Sequence, residues 1–141
     1  EVVGLLAPAS VEAWVRMMPE LMRMMRNRPH PSCSLACQQL GVATSQVSVE
    51  ATSFVHRQAE WKPWITAAWR PGDAAGRRCR LDWLGTVWQL LQPVCPGVHL
   101  AQLHDHLPFH HKEVEAAFSI WLPELRKLKR RLDPKGMLPA L

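Results

Sequence analysis

Two hydrophobic periods share this chain, and its fold has to satisfy both. Trp61, Pro63, Ile65, Ala67 and Trp69 stand at every second position, the pattern of a strand with one buried face. Val114, Phe118, Trp121, Leu125, Leu128 and Leu132 instead recur at steps of four, three, four, three and four, which traces one face of a helix. A strand cannot carry the second pattern nor a helix the first, so strands and helices must pack together in layers.

The rest of the chain fills in around these two. Ser10 is placed to cap a helix over 11–28, with Trp14, Met18, Leu21 and Met25 on one side and Arg16, Arg23 and Arg26 on the other. Pro19 predicts a kink in it, and the prolines of "NRPHPSCS" end it. Val47, Val49, Ala51, Ser53 and Val55 alternate with mostly polar neighbours and predict a strand. A second strand covers 61–69, where Pro63 predicts an edge position or a bulge because proline has no N–H to give the ladder. "RPGD" is a turn whose Asp73 caps a helix over 74–92, built on Arg80, Leu84, Val87, Trp88 and Leu91. Residues 97–103 read as a short extended segment, and Pro123 kinks or divides the last helix. The expectation is an α+β fold: a small antiparallel sheet backed by helices, with an N-terminal amphipathic helix and a long C-terminal helical segment. A boundary is expected between 1–40, holding the amphipathic helix and a Pro/Cys loop, and 41–141.

Length and composition bound what this fold can do. At 141 residues, 48% hydrophobic and 21% charged, the chain is globular and has room for one modest core. Seven Trp strain a core of that size, and Trp- and Met-rich helical faces are surfaces that other protein subunits bind. The absence of Tyr excludes chemistry that needs a phenol. The net charge of +5 favours acidic partners in general. Only "RKLKRR" (126–131) concentrates it, and there Leu128 continues the apolar stripe, so the charges read as the solvated side of a helix and no nucleic-acid partner is expected. No apolar run reaches the length of a transmembrane helix. Contact of 11–28 with a membrane surface is the remaining membrane reading. Glu1 in place of an initiator Met points to processing, as in an organellar protein, or to a piece of a longer polypeptide. Cys33, Cys37, Cys79 and Cys95 match no disulfide or zinc framework and are expected as free thiols.

The densest polar group is His99, His104, Asp105, His106, His110 and His111. Imidazoles and a carboxylate are ligands for zinc, and His104, His106 and His110 are the candidates. A proline-containing loop does not fix their geometry, however, so no metal is expected and the loop reads as one whose charge responds to mild acid. There is no G-x-S-x-G elbow, and seven scattered glycines make neither a P-loop nor a dinucleotide fingerprint. A self-sufficient enzyme is not expected.

Two stretches, in their order, resemble FAD-linked oxidases of the berberine bridge enzyme-like group. "GVATSQVSVEATSFVHR" (41–57) is similar to the family's glycine-led segment running into "T-x-F-P-H-R", and "WITAAW" to the Trp-ending strand that follows. "WLPELRKLKRRLDPKGM" (121–137) resembles the C-terminal signature "N-x-x-R-L-x-x-L-K-x-x-Y-D-P-x-N-x-F", with Leu125, Leu128, Lys129, Asp133 and Pro134 at matching positions. "LAQLHD" (100–105) lies where the family has "Y-x-N-Y-x-D". The resemblance implies a substrate domain over 41–141, an antiparallel sheet backed by helices, without the flavin-binding domain. It also implies losses: Leu100, Gln102 and Leu103 replace the family's Tyr and Asn, Trp121 and Glu124 replace the Asn and Arg that approach the flavin, and Trp64 and Ile65 replace its substrate-facing Gln and Tyr. The expectation drawn from it is a non-catalytic structural or accessory subunit of a larger complex, with no cofactor in this chain. The alternative is the C-terminal fragment of an FAD-dependent oxidoreductase, in which His56, Arg57, Gln102 and Trp121 lie toward FAD.

Overall fold

The computed structural model describes residues 2–7, 10–99 and 110–138. They form an α+β fold: a sheet of order β2-β3-β1-β4, antiparallel throughout, with helices packed on it. Its strands are β1 (Val2–Leu6), β2 (Ser34–Gln39), β3 (Trp61–Thr66) and β4 (Gly97–His99). The helices are α1 (Val11–Arg26), α2 (Ala74–Leu91), α3 (His110–Phe118) and α4 (Leu122–Leu132).

The chain opens on a strand, not on the helix that the sequence places first. β1 lies between β3 and β4, and Val3, Leu5 and Leu6 are all buried. A strand buried on both faces is apolar without alternation, so "VVGLL" carries no period-two signal. The boundary drawn at residue 40 runs through this sheet, with β1 and β2 on one side of it and β3 and β4 on the other.

The alternation over Val47–Val55 is not a strand. The chain makes two short 3-10 turns instead, Val42–Thr44 just before this stretch and Val49–Ala51 within it. Its hydroxyls explain why: Thr44 Oγ1 donates to the Gly41 carbonyl at 3.0 Å, Ser45 Oγ to that of Val42 at 2.8 Å, and Ser48 Oγ accepts from the Glu50 N–H at 3.2 Å. Such local bonds compete with a sheet ladder for the same backbone groups. The missing strand is β2, in the stretch read as a loop.

Pro63 is on neither an edge nor a bulge. It sits in β3, flanked by β2 and β1, opposite Cys37 of β2. On the other side, the Gly4↔Trp64 and Ala7↔Trp61 pairs keep one register across it. Trp61 exchanges both backbone bonds with Ala7, so Pro63, two residues on, turns its missing N–H toward β1. The β1–β3 ladder lapses at that point and resumes beyond it, which is how an interior strand accommodates proline here.

The core lies between the sheet and the helices. Val3 and Leu5 of β1, Ile65 of β3 and Val98 of β4 meet Leu84, Val87 and Leu91 of α2 and Met17 and Leu21 of α1. Leu84 is fully buried, and truncating such a leucine to Ala costs about 2–5 kcal/mol. Asp73 caps α2 as expected, accepting the Gly76 N–H at 2.8 Å. Trp83 latches α2 to α1 by donating its indole N–H to the Met24 carbonyl at 3.2 Å.

The apolar arc of α1 is wider than the sequence stripe. Met17 and Leu21 face the core, whereas Val11 and Val15 are 71% and 64% exposed and Met18 and Met22 each 43%. Between this outer half of α1 and the inner face of β2 and β3 runs a groove of about 950 Å³, floored by Leu35, Trp61 and Pro63. The C-terminal segment is divided, as Pro123 predicts, at a single turn over Ser119–Trp121. Ser119 takes a φ of 43°, and Pro123 falls in the first turn of α4, where its lack of an N–H costs nothing. Leu122 is buried, but Leu128 and Leu132 farther along the helix are 41% and 68% exposed. Among the described residues no helix is long and apolar enough to cross a membrane.

Candidate functional site

His56, Arg57 and Trp121 meet around the irregular segment 41–57. His56 Nε2 lies 2.6 Å from the Ala116 carbonyl of α3, and its ring rests on Gly97 of β4, where an added Cβ would stand 2.6 Å from the imidazole. Phe54 meets the same ring edge-on at 6.2 Å. Trp121 donates its indole N–H to the Val49 carbonyl at 3.2 Å. These contacts tie segment 41–57 to β4, α3 and the turn that follows α3.

Arg57 is the most deeply buried charged side chain of this cluster, at 9% exposure. One guanidinium nitrogen, Nη2, donates to Thr52 Oγ1, Nη1 reaches the Thr44 carbonyl at 3.5 Å, and the guanidinium carbon lies 5.1 Å from the Phe54 ring centre. Nε is buried without a partner, and among the described residues no carboxylate forms an ion pair with Arg57.

A second group lies on the sheet face turned away from the core, and sequence reasoning missed it. The register puts Trp64, Gly4 and His99 in one row across β3, β1 and β4, with Lys62 and Thr66 on the same face of β3. Lys62 Nζ stands 5.8 Å from the Trp64 ring centre. His99 Nδ1 is buried and unpartnered, and burial first, then the nearby Lys62 charge, holds the imidazole below its usual range. It is therefore neutral near pH 7. The alternation within β3 was the available signal: Trp64 and Ile65 point to opposite faces, and Ile65 is fully buried in the core. They cannot both face a substrate, as the resemblance had placed them.

Gln102, His104 and His106 lie outside the described residues, and His110 begins α3. Glu124, exposed on α4, pairs with Lys127 at 2.7 Å. All four cysteines are free: Cys33 and Cys95 are buried, Cys37 and Cys79 exposed. Burial, followed by the proximity of Cys37, pushes the Cys95 thiol up to about 12, so it stays protonated and inert.

This architecture has counterparts among solved structures. The moss protein Physcomitrella patens BBE-like 1, in its wild-type form and as a single-residue variant, superposes with a TM-score of 0.76 over 99% of this chain at 14% identity. BBE-like denotes the berberine bridge enzyme-like group, and at that identity the likeness is one of fold. The chain spans 29% of the length of those structures. No protein-family model and no curated protein matches the sequence.

Proposed function

We propose that this chain is the substrate-domain portion of an FAD-linked oxidoreductase of the BBE-like kind, working beside a flavin-binding portion that its described residues do not supply. One observation carries the reading: nearly the whole chain follows the moss BBE-like fold, yet accounts for less than a third of that protein's length. FAD would supply the redox chemistry. The hydrogen bonds of His56 Nε2 and Trp121 Nε1 are taken by carbonyls of this same chain, so neither nitrogen is offered to a flavin. In this reading those two residues are joints that fix segment 41–57 against β4 and α3, and the face bearing Lys62, Trp64 and His99 is the wall turned toward substrate.

The second reading is a non-catalytic accessory subunit derived from the same domain. It is favoured by Trp64, an apolar side chain on that face where the family resemblance calls for a polar one. Recovery of the chain from its native source under non-denaturing conditions separates the two. The proposal expects oxidised-flavin absorbance to co-elute with this chain; partners that carry no flavin would overturn it and leave the accessory reading.

A further inference from the structure

Arg57, which pairs with no carboxylate among the described residues, lines an opening of about 300 Å³ together with Gln39, Thr44, Ser45, Gln58 and Glu60. We propose that this opening is an oxyanion site, and that a carboxylate or phosphate group bound there is the counter-ion of Arg57. A guanidinium that is nine-tenths buried loses its hydration, and the loss is offset only by an opposite charge or by a full set of acceptors. Arg57 has neither. Thr52 Oγ1, the distant Thr44 carbonyl and the Phe54 ring are neutral, and Nε has no acceptor. A planar oxyanion matches a guanidinium edge with two parallel bonds, which a point acceptor cannot do.

The surrounding groups define the ligand further. The hydroxyls of Thr44 and Ser45 already donate to Gly41 and Val42, so they add no donor toward an anion. The exposed side-chain amides of Gln39 and Gln58 remain available at the rim. Glu60 also lines the opening without pairing to Arg57, and its charge opposes an incoming anion. The site therefore suits a small ion with one or two negative charges and holds it less tightly than Arg57 alone would allow. The burial of Arg57 leaves that pairing less screened by salt than an exposed one.

The test is calorimetric titration of the full chain with sodium phosphate and, separately, with sodium acetate, at constant ionic strength set by chloride. Saturable binding of either is expected, and the preferred ion tells a phosphate source from a carboxylate one. Arg57→Lys should weaken it at least tenfold, because the ammonium keeps the charge and loses the fork. Glu60→Gln, at an exposed position, should tighten it severalfold. Failure of both ions to bind the folded chain, or equal affinity in Arg57→Lys, overturns the proposal. Should Arg57→Lys fail to fold, an unchanged affinity in Glu60→Gln overturns it equally.

Discussion

A Cβ on Gly97 has no room beside the His56 ring, which would lie 2.6 Å away. Gly97→Ala therefore has to displace the imidazole from the Ala116 carbonyl, and overpacking of this kind costs about 1–3 kcal/mol. Thermal unfolding should show the loss, and His56→Ala in the same molecule should recover part of it; additive losses in the double variant would mean that the two residues do not press on one another. The His-Arg pair thus divides its work: His56 joins segment 41–57 to β4 and α3, while Arg57 brings to the same segment a buried charge with no counter-ion among the described residues.

Elements end where single side chains close them, and α4 is the clearest case. Asp133 accepts from Lys129 Nζ at 2.6 Å and from the N–H groups of Met137 and Leu138 at 2.7 and 2.9 Å. The Lys129 bond first, then the two backbone bonds, hold its carboxyl at about 2 against an ordinary 3.8. The folded form binds the proton less readily than the unfolded one, so this stabilisation is complete above pH 3.8 and is lost as pH falls toward 2. Amide signals of Met137 and Leu138 should report that loss, and Asp133→Asn should abolish the pH dependence; an unchanged acid transition in the variant would assign it to another group.

The same scale explains what the sequence reveals. α2 with its Asp73 cap, β3, and the division before Pro123 are legible because local chemistry and tertiary packing agree there. β1 is hidden because burial on both faces erases its period. Segment 47–55 misleads because the hydroxyls of Ser48 and Thr52 accept the backbone N–H groups of Glu50 and Phe54 locally, although its apolar residues alternate. Of the candidate site, the contacts of His56 are visible only once β4 and α3 come together, and that of Trp121 only once segment 41–57 meets the turn after α3. The row of Trp64, Gly4 and His99 depends on a register between three strands that no local pattern encodes.

At the scale of the whole molecule, two apolar surfaces are left uncovered by the described residues. The outer half of α1, with the groove floored by Leu35 and Trp61, lies on the helical side of the sheet, and Leu128 and Leu132 project from α4. A chain that is one portion of a larger flavoprotein would bury both against the remainder, since contiguous exposed apolar patches mark interfaces. Hydroxyl-radical footprinting with mass spectrometry tests this most directly, read at Met18, Met22, Leu128 and Leu132 in the isolated chain and in the assembly recovered from its native source. The account predicts heavy labelling of all four in the isolated chain and at least a fivefold reduction in a flavin-containing assembly. Equal labelling in both states, or protection in an assembly that holds no flavin, would contradict it.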